Sequence, residues 1–133
     1  MIFLFYTSKS KKFFNDQMML ELLEKSRDLN TSKGLTGLLL YKSSVFLQYI
    51  EGPEKEVLEL FKKIQSDPRH TDVKLISKGN LSENKRIFDH WSMAYKKSDE
   101  IDYSLYENAF KLIEGEVGPN DIIELMKKFY YIL

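Results

Sequence analysis

Residues 34–53 read Gly34-Leu-Thr-Gly-Leu-Leu-Leu-Tyr-Lys-Ser-Ser-Val-Phe-Leu-Gln-Tyr-Ile-Glu-Gly-Pro53, and this stretch decides the fold. Leu35 to Tyr41 and Val45 to Ile50 are dense in aliphatic and aromatic residues, which suits two strands. Only Ser43-Ser44 can turn the chain between them, so they form a hairpin with weak turn chemistry, neither residue being Gly or Asn. Gly52-Pro53 then ends the second strand and opens a helix, with Pro53 near its first position and Glu54 and Glu56 in its first turn. The apolar stripe of that helix is Val57, Leu58, Phe61 and Ile64, and Pro68 stops it.

Upstream, Ile2 to Thr7 reads as a buried strand. Asn15 or Asp16 caps a helix carrying Met18, Met19, Leu22 and Leu23, which ends near Leu29-Asn30. Downstream, Val73 to Ser77 and Trp91 to Tyr95 supply a fourth and a fifth strand. The order β-α-β-β-α-β-β predicts an α+β domain of the ferredoxin-like, split βαβ type, with two helices on one face and the first and third strands adjacent at the centre. Strand parity adds a constraint, because successive side chains point to opposite faces. Leu4 and Tyr6 oppose Phe3 and Phe5, and Phe46, Gln48 and Ile50 oppose Leu47 and Tyr49. Both faces are therefore apolar, and the two crossover helices cover one. Ile101 to Ile113 and Asp121 to Leu133 read as two further helices that cover the other face, with the turn at Gly115 to Asn120. Residues 1–96 are the expected binding domain, and 97–133 a C-terminal helical cap of the same structural unit.

The 133 residues amount to one domain, burying roughly two-thirds of the surface that the unfolded chain exposes. Twenty basic and twenty acidic residues balance, which argues against a nucleic-acid binder. The absence of cysteine excludes disulfides, thiolate nucleophiles and cysteine metal sites. No apolar run is long enough to span a membrane, and a cytoplasmic address is expected.

Gln48 stands in the middle of an apolar strand, where an unpaired amide would cost about 1–3 kcal/mol. Tyr6 lies near it if the first and third strands are neighbours, and Asn30 can reach the same face. The bland reading is a satisfied polar cluster, with Asn30 a helix C-cap. His70 and His90 lie apart without metal-ligand spacing, so no metal site is expected. Asp67-Pro68-Arg69-His70 reads as a helix-ending turn. Ser8 to Lys12 is a basic, hydroxylated loop without the glycines of a phosphate cradle.

Five segments together carry a family resemblance. They are Phe5-Tyr-Thr-Ser8, Asn30 with Gly34 to Tyr41, Phe46 to Gly52, Lys63 to His70, and Phe88-Asp-His-Trp-Ser-Met93. In this order and spacing the chain from about Phe3 to Tyr95 resembles the BLUF family, sensors of blue light using flavin. The resemblance implies noncovalent FAD, with FMN or riboflavin as possible substitutes, its ring between the two crossover helices. It makes Tyr6 the electron and proton donor and Gln48 the amide bridging it to the flavin. Asn30 then bonds the ring edge, Arg69 a ring carbonyl with Asp67 and His70 nearby, and Lys63 a ribityl or phosphate group. Trp91 and Met93 become the output pair on the fifth strand, with Met93 also among the cofactor-binding residues. Leu29 stands where the family often has Asn or His, and Lys63 where it has Arg.

These readings make the chain a photoreceptor and not an enzyme. Light-driven transfer from Tyr6 rearranges the Gln48 hydrogen bonds and signals to a protein partner or through a homo-oligomer, with neither nucleic acid nor membrane as direct partner. No effector domain is expected beyond the two C-terminal helices. The alternative is a flavin-binding interaction module without photoactivity. An acylphosphatase-type hydrolase shares the topology, but the anion loop with a placed Arg and Asn is missing.

Overall fold

Ser43 and Ser44 both take positive φ, 49° and 66°. That is the type I′ geometry whose twist matches paired strands, reached here without Asn or Gly. The turn joins β2 (Thr36–Lys42) to β3 (Val45–Gly52). The computed structural model describes residues 1–82, 85–89, 92–95, 103–116 and 118–131, with only the backbone of 103–106. The other described elements are β1 (Ile2–Ser10), α1 (Asp16–Lys33), α2 (Glu54–Ser66), β4 (His70–Asn80), β5 (Ala94–Tyr95), α3 (Tyr103–Leu112) and α4 (Pro119–Tyr130).

The strands form one sheet in the order β4-β1-β3-β2-β5, antiparallel except for the β2–β5 edge pair. The expected adjacency of the first and third strands is present, and its register sets Tyr6 directly opposite Gln48. Leu39 of β2 flanks Gln48 on the other side.

Parity sorts the core as the sequence predicts. Ile2, Leu4, Tyr6, Leu39, Phe46 and Ile50 pack with Met19 and Leu23 of α1, Val57 of α2 and Met93. On the back, Phe3, Phe5, Leu38, Leu40, Leu47 and Tyr49 pack with Phe88, Ala94, Ala109 and four residues of α4: Ile122, Leu125, Met126 and Phe129. Each large apolar side chain so buried contributes about 1.5–3 kcal/mol, so α4 is part of the core. Gly79 lets α4 come close, since a Cβ there would meet the Phe3 ring at 2.6 Å and Pro119 at 3.3 Å.

Several boundaries differ from the sequence reading, β1 among them, which runs on to Ser10. α1 runs a further turn beyond Asn30, because Gly34 (φ 69°) supplies the left-handed cap and the Leu35 N–H returns to the Asn30 carbonyl. Asn30 is therefore inside the last turn and is not the C-cap. Pro53 is the N-cap of α2, one place before the expected first position. β4 is longer than expected because it pairs along nearly all of β1, a bond pattern its alternating polar residues conceal. Of the expected fifth strand only Ala94–Tyr95 is paired, while Trp91 and His90 lie outside the described residues.

Candidate functional site

α1 and α2 lie side by side on one face and leave a cavity of about 300 Å³ between them. Its walls follow helical spacing. Leu22, Lys25, Ser26 and Leu29 line it from α1, and Leu60, Lys63 and Ile64 from α2 with Asp67 just beyond its end. Tyr6, Ser8, Leu39, Phe46 and Gln48 make the floor, and Arg69 and His70 complete the mouth.

The floor is where the polar chemistry concentrates. Tyr6 is 1% exposed, with the Phe61 ring edge-on at 5.0 Å, and its Oη donates to Gln48 Oε1. Burial pushes the Tyr6 pKa well above its ordinary value, so the group is a neutral phenol at any physiological pH. Gln48 Nε2 in turn faces Met93 Sδ at 3.6 Å, a weak donor–acceptor contact. The segment carrying Met93 is held from α1 at two more points. Asn30 Nδ2 donates to the Ser92 carbonyl at 2.8 Å, and Arg27 Nε to the Met93 carbonyl at 3.0 Å.

At the mouth, the Arg69 guanidinium embraces Asp67 through Nε at 3.1 Å and Nη2 at 2.7 Å, and this holds the Asp67 carboxyl down at about 2. His70 sits 3.3 Å from Ser8 Oγ with its ring edge on Phe46. Its partial burial lowers its pKa below the usual imidazole value, against the opposing pull of Asp67.

The structure thus gathers Tyr6, Asn30, Gln48, Lys63, Asp67, Arg69 and His70 around one cavity. Met93 lies behind Gln48 and outside the cavity lining. Trp91 falls outside the described residues. The Arg69 guanidinium, expected on a ring carbonyl, is engaged by Asp67. Asn30 is neither a cap nor free: one arm of its amide is committed to the chain before β5.

Sequence reasoning missed Glu51. Fully buried on the back face, its carboxylate accepts from the Ile87 and Phe88 N–H groups at 2.8 and 2.7 Å. Thr36 Oγ1 and Tyr49 Oη complete the set at 2.9 and 3.1 Å. Burial pushes this carboxyl up against the downward pull of those four donors. Glu51 therefore pins residues 87–88, which lead into Ser92 and Met93. Its parity with Leu47 and Tyr49 was the available signal, since an acid on an apolar sheet face must find partners.

The cavity suits a flat polycyclic ring with a polar rim, because apolar side chains form its walls and hydrogen-bonding groups occupy the floor and mouth. A split βαβ sheet with such a slot between its crossover helices, floored by a phenol–amide pair, suits a small-molecule-binding class of domain. The family model described as sensors of blue light using FAD (BLUF) matches residues 1–94, and the chain belongs to that family.

Over 89 residues, 67% of this chain and 8% of the relative, it is 43% identical to photoactivated adenylate cyclase subunit alpha of Euglena gracilis. Over 53 residues, 40% of this chain and 13% of the relative, it is 36% identical to the blue light- and temperature-regulated antirepressor BluF of Escherichia coli K12. The chain thus spans about a tenth of the length of these curated relatives. The dark-state structure of BlrB, a BLUF protein, superposes with a TM-score of 0.78 at 30% identity, covering 99% of this chain and 96% of that one. Among the described residues, no helix is long and apolar enough to cross a membrane, and no His, Asp and Glu cluster could hold a metal.

Proposed function

We propose that this chain is a cytoplasmic blue-light sensor that binds FAD noncovalently, turns over no substrate, and signals to a protein partner or through self-association. The observation that carries this reading is the chain of contacts Tyr6–Gln48–Met93 on the cavity floor. Residues 1–96 are the sensing domain and 97–133 its cap. Tyr6, Asn30, Gln48, Lys63, Asp67, Arg69 and His70 would hold the cofactor, with Met93 behind Gln48.

Bound there, the flavin supplies blue-light absorption and an electron-accepting excited state. The protein supplies a neutral phenol able to release an electron and a proton, since burial keeps the Tyr6 proton in place. Gln48 is its immediate relay, because its Oε1 is the acceptor of that proton's hydrogen bond. Turning the Gln48 amide by half a rotation places Nε2 toward Tyr6 and Oε1 toward Met93 Sδ. Two acceptors then face each other across 3.6 Å, and the contact that holds Met93 is lost. One changed hydrogen bond is worth on the order of 1 kcal/mol, enough to shift a two-state ratio several-fold. It falls short of the roughly 5.5 kcal/mol needed to invert a 1:99 population. Output is therefore a bias on Met93 and the edge strand that follows it, read by a partner surface or a second copy.

The test is the absorption spectrum of dark-purified protein before and after blue light. Flavin bands that move slightly to the red and recover in the dark bear the proposal out. Bound flavin with an unchanged spectrum leaves an interaction module. Failure to take up flavin refutes it.

A further inference from the structure

Upstream of Met93 the backbone is held at Phe88, whose N–H bonds Glu51, and downstream at Ala94, the first residue paired to β2. Among the described residues, no strand includes Ser92 or Met93 themselves, so side chains must place them. On the sheet side the hold is weak: Gln48 Nε2 meets Met93 Sδ at 3.6 Å, and a thioether is a poor acceptor. On the helix side it is stronger. Arg27 and Asn30 stand at i and i+3 on α1, so their side chains are neighbours on one face and can reach successive carbonyls. Arg27 Nε donates to that of Met93 at 3.0 Å and Asn30 Nδ2 to that of Ser92 at 2.8 Å. A charged donor makes the Arg27 bond the stronger kind. Among the described residues, its guanidinium makes no other hydrogen bond or ion pair. Arg27 is also not a lining residue of the cavity, although Lys25, Ser26, Leu29 and Asn30 around it are.

We propose that Arg27 is a positioning residue of the switch: by holding the Met93 carbonyl it keeps Met93 Sδ against Gln48 and so sets the lifetime of the light-adapted arrangement. A half-turn of the Gln48 amide brings Oε1 against Sδ, and two facing acceptors are relieved only when the sulfur withdraws. Withdrawal of Met93 draws its carbonyl off Arg27. The bond is thus made in the dark arrangement and weakened in the turned one, and only such a difference can shift a two-state equilibrium. Without Arg27 the turned arrangement gains in relative stability, and its return to the dark form slows. The loss of one such bond is worth about fivefold in a two-state ratio. The inference rests on the flavin photosensor reading of the slot and adds to it a residue that acts through Met93 without touching the cofactor.

The test compares the full-length parent, Arg27→Met and Arg27→Lys, loaded with flavin, by the dark recovery of the red-shifted spectrum after a blue flash. Methionine keeps the apolar stem and the helix propensity of arginine but has no donor, whereas lysine keeps a charged donor. Arg27→Met should bind flavin, show a red shift of parental size and recover about fivefold more slowly, and Arg27→Lys should recover within about twofold of the parent. A merely structural role would lower the melting temperature of Arg27→Met and leave its recovery at the parental rate; recovery at that rate or faster overturns the proposal. Arg27→Lys as slow as Arg27→Met would overturn it too, because the donor would then not be what counts. A parent that takes up flavin and shows no red shift would remove the photosensor reading and the role of Arg27 together, whereas a responsive parent matched by Arg27→Met removes the role of Arg27 alone.

Discussion

Tyr6→Phe isolates the phenolic oxygen from everything else the residue does. The ring is 1% exposed and packed edge-on against Phe61, and Phe keeps both features. What disappears is one hydrogen bond, that to Gln48 Oε1. A net loss of about 0.5–1.5 kcal/mol follows from the bond itself. The orphaned carbonyl adds little, because Gln48 is only half-buried and its amide can turn toward the cavity. For a domain of this length about 1 kcal/mol lowers Tm by roughly 3–5 °C. The variant should thus fold, bind flavin and melt slightly earlier, yet lose the reversible red shift, since among the described residues no other group lies on Gln48 with a proton and an electron to give. Two measurements decide it: thermal unfolding followed by circular dichroism, and the light-minus-dark difference spectrum with its dark recovery. A variant with a parental difference spectrum would refute the relay, and one with an intact melt but no flavin would mean that the hydroxyl binds and does not relay.

Further predictions follow from the same geometry. Gly37→Ala should cost several kcal/mol and give little soluble protein, because the new Cβ would lie 2.1 Å from the Tyr49 carbonyl oxygen, a backbone atom of the paired strand. Glu51→Leu leaves the Ile87 and Phe88 N–H groups without acceptors and should destabilise by at least about 3 kcal/mol in urea unfolding, whereas Glu51→Gln, which keeps a carbonyl oxygen, should cost far less. The depressed pKa of His70 means that the unfolded chain takes up a proton first as pH falls; stability conferred above about 6.5 is lost below it, and His70→Phe should flatten the urea midpoint between about pH 5 and pH 7. Phe129→Ala should cost about 3–5 kcal/mol, because α4 closes the back core, and a near-parental melt would show that α4 is not an integral layer.

Most of the two-layered core was legible because one local rule suffices for it. Period-two alternation in β1 and β3 sorted Leu4 and Tyr6 from Phe3 and Phe5, and so announced two cores before any contact was known. The same alternation exposed Gln48 as an amide in need of partners. Asn30 was placed on the correct face but given the wrong local role, since the helix stop lies at Gly34 and not at the asparagine. Glu51 escaped notice because its donors at 87 and 88 sit in an irregular stretch with no periodicity to project. The Asp67–Arg69 pairing was hidden for another reason, as a turn brings together residues that a linear motif reads as independent contacts.

Met93 and Ala94 are neighbours in sequence, yet Met93 belongs to the core beneath the helices and Ala94 to the core on the other side. One peptide unit, about 3.8 Å from Cα to Cα, therefore threads the plane of the sheet and joins the two rooms, as the alternation does along the inner strands, but here at the edge. That unit leads into the strand at the border, where among the described residues Ala94 and Tyr95 are laced to β2. If Met93 slides after losing its hold on Gln48, Ala94 must swing in the opposite sense or the peptide must twist. The lining of the far room, Ala109 and Phe129 among it, then feels an event that took place on the near side. In such a movement the outermost strand would serve as a pivot, and no relay of side chains through the interior would be needed.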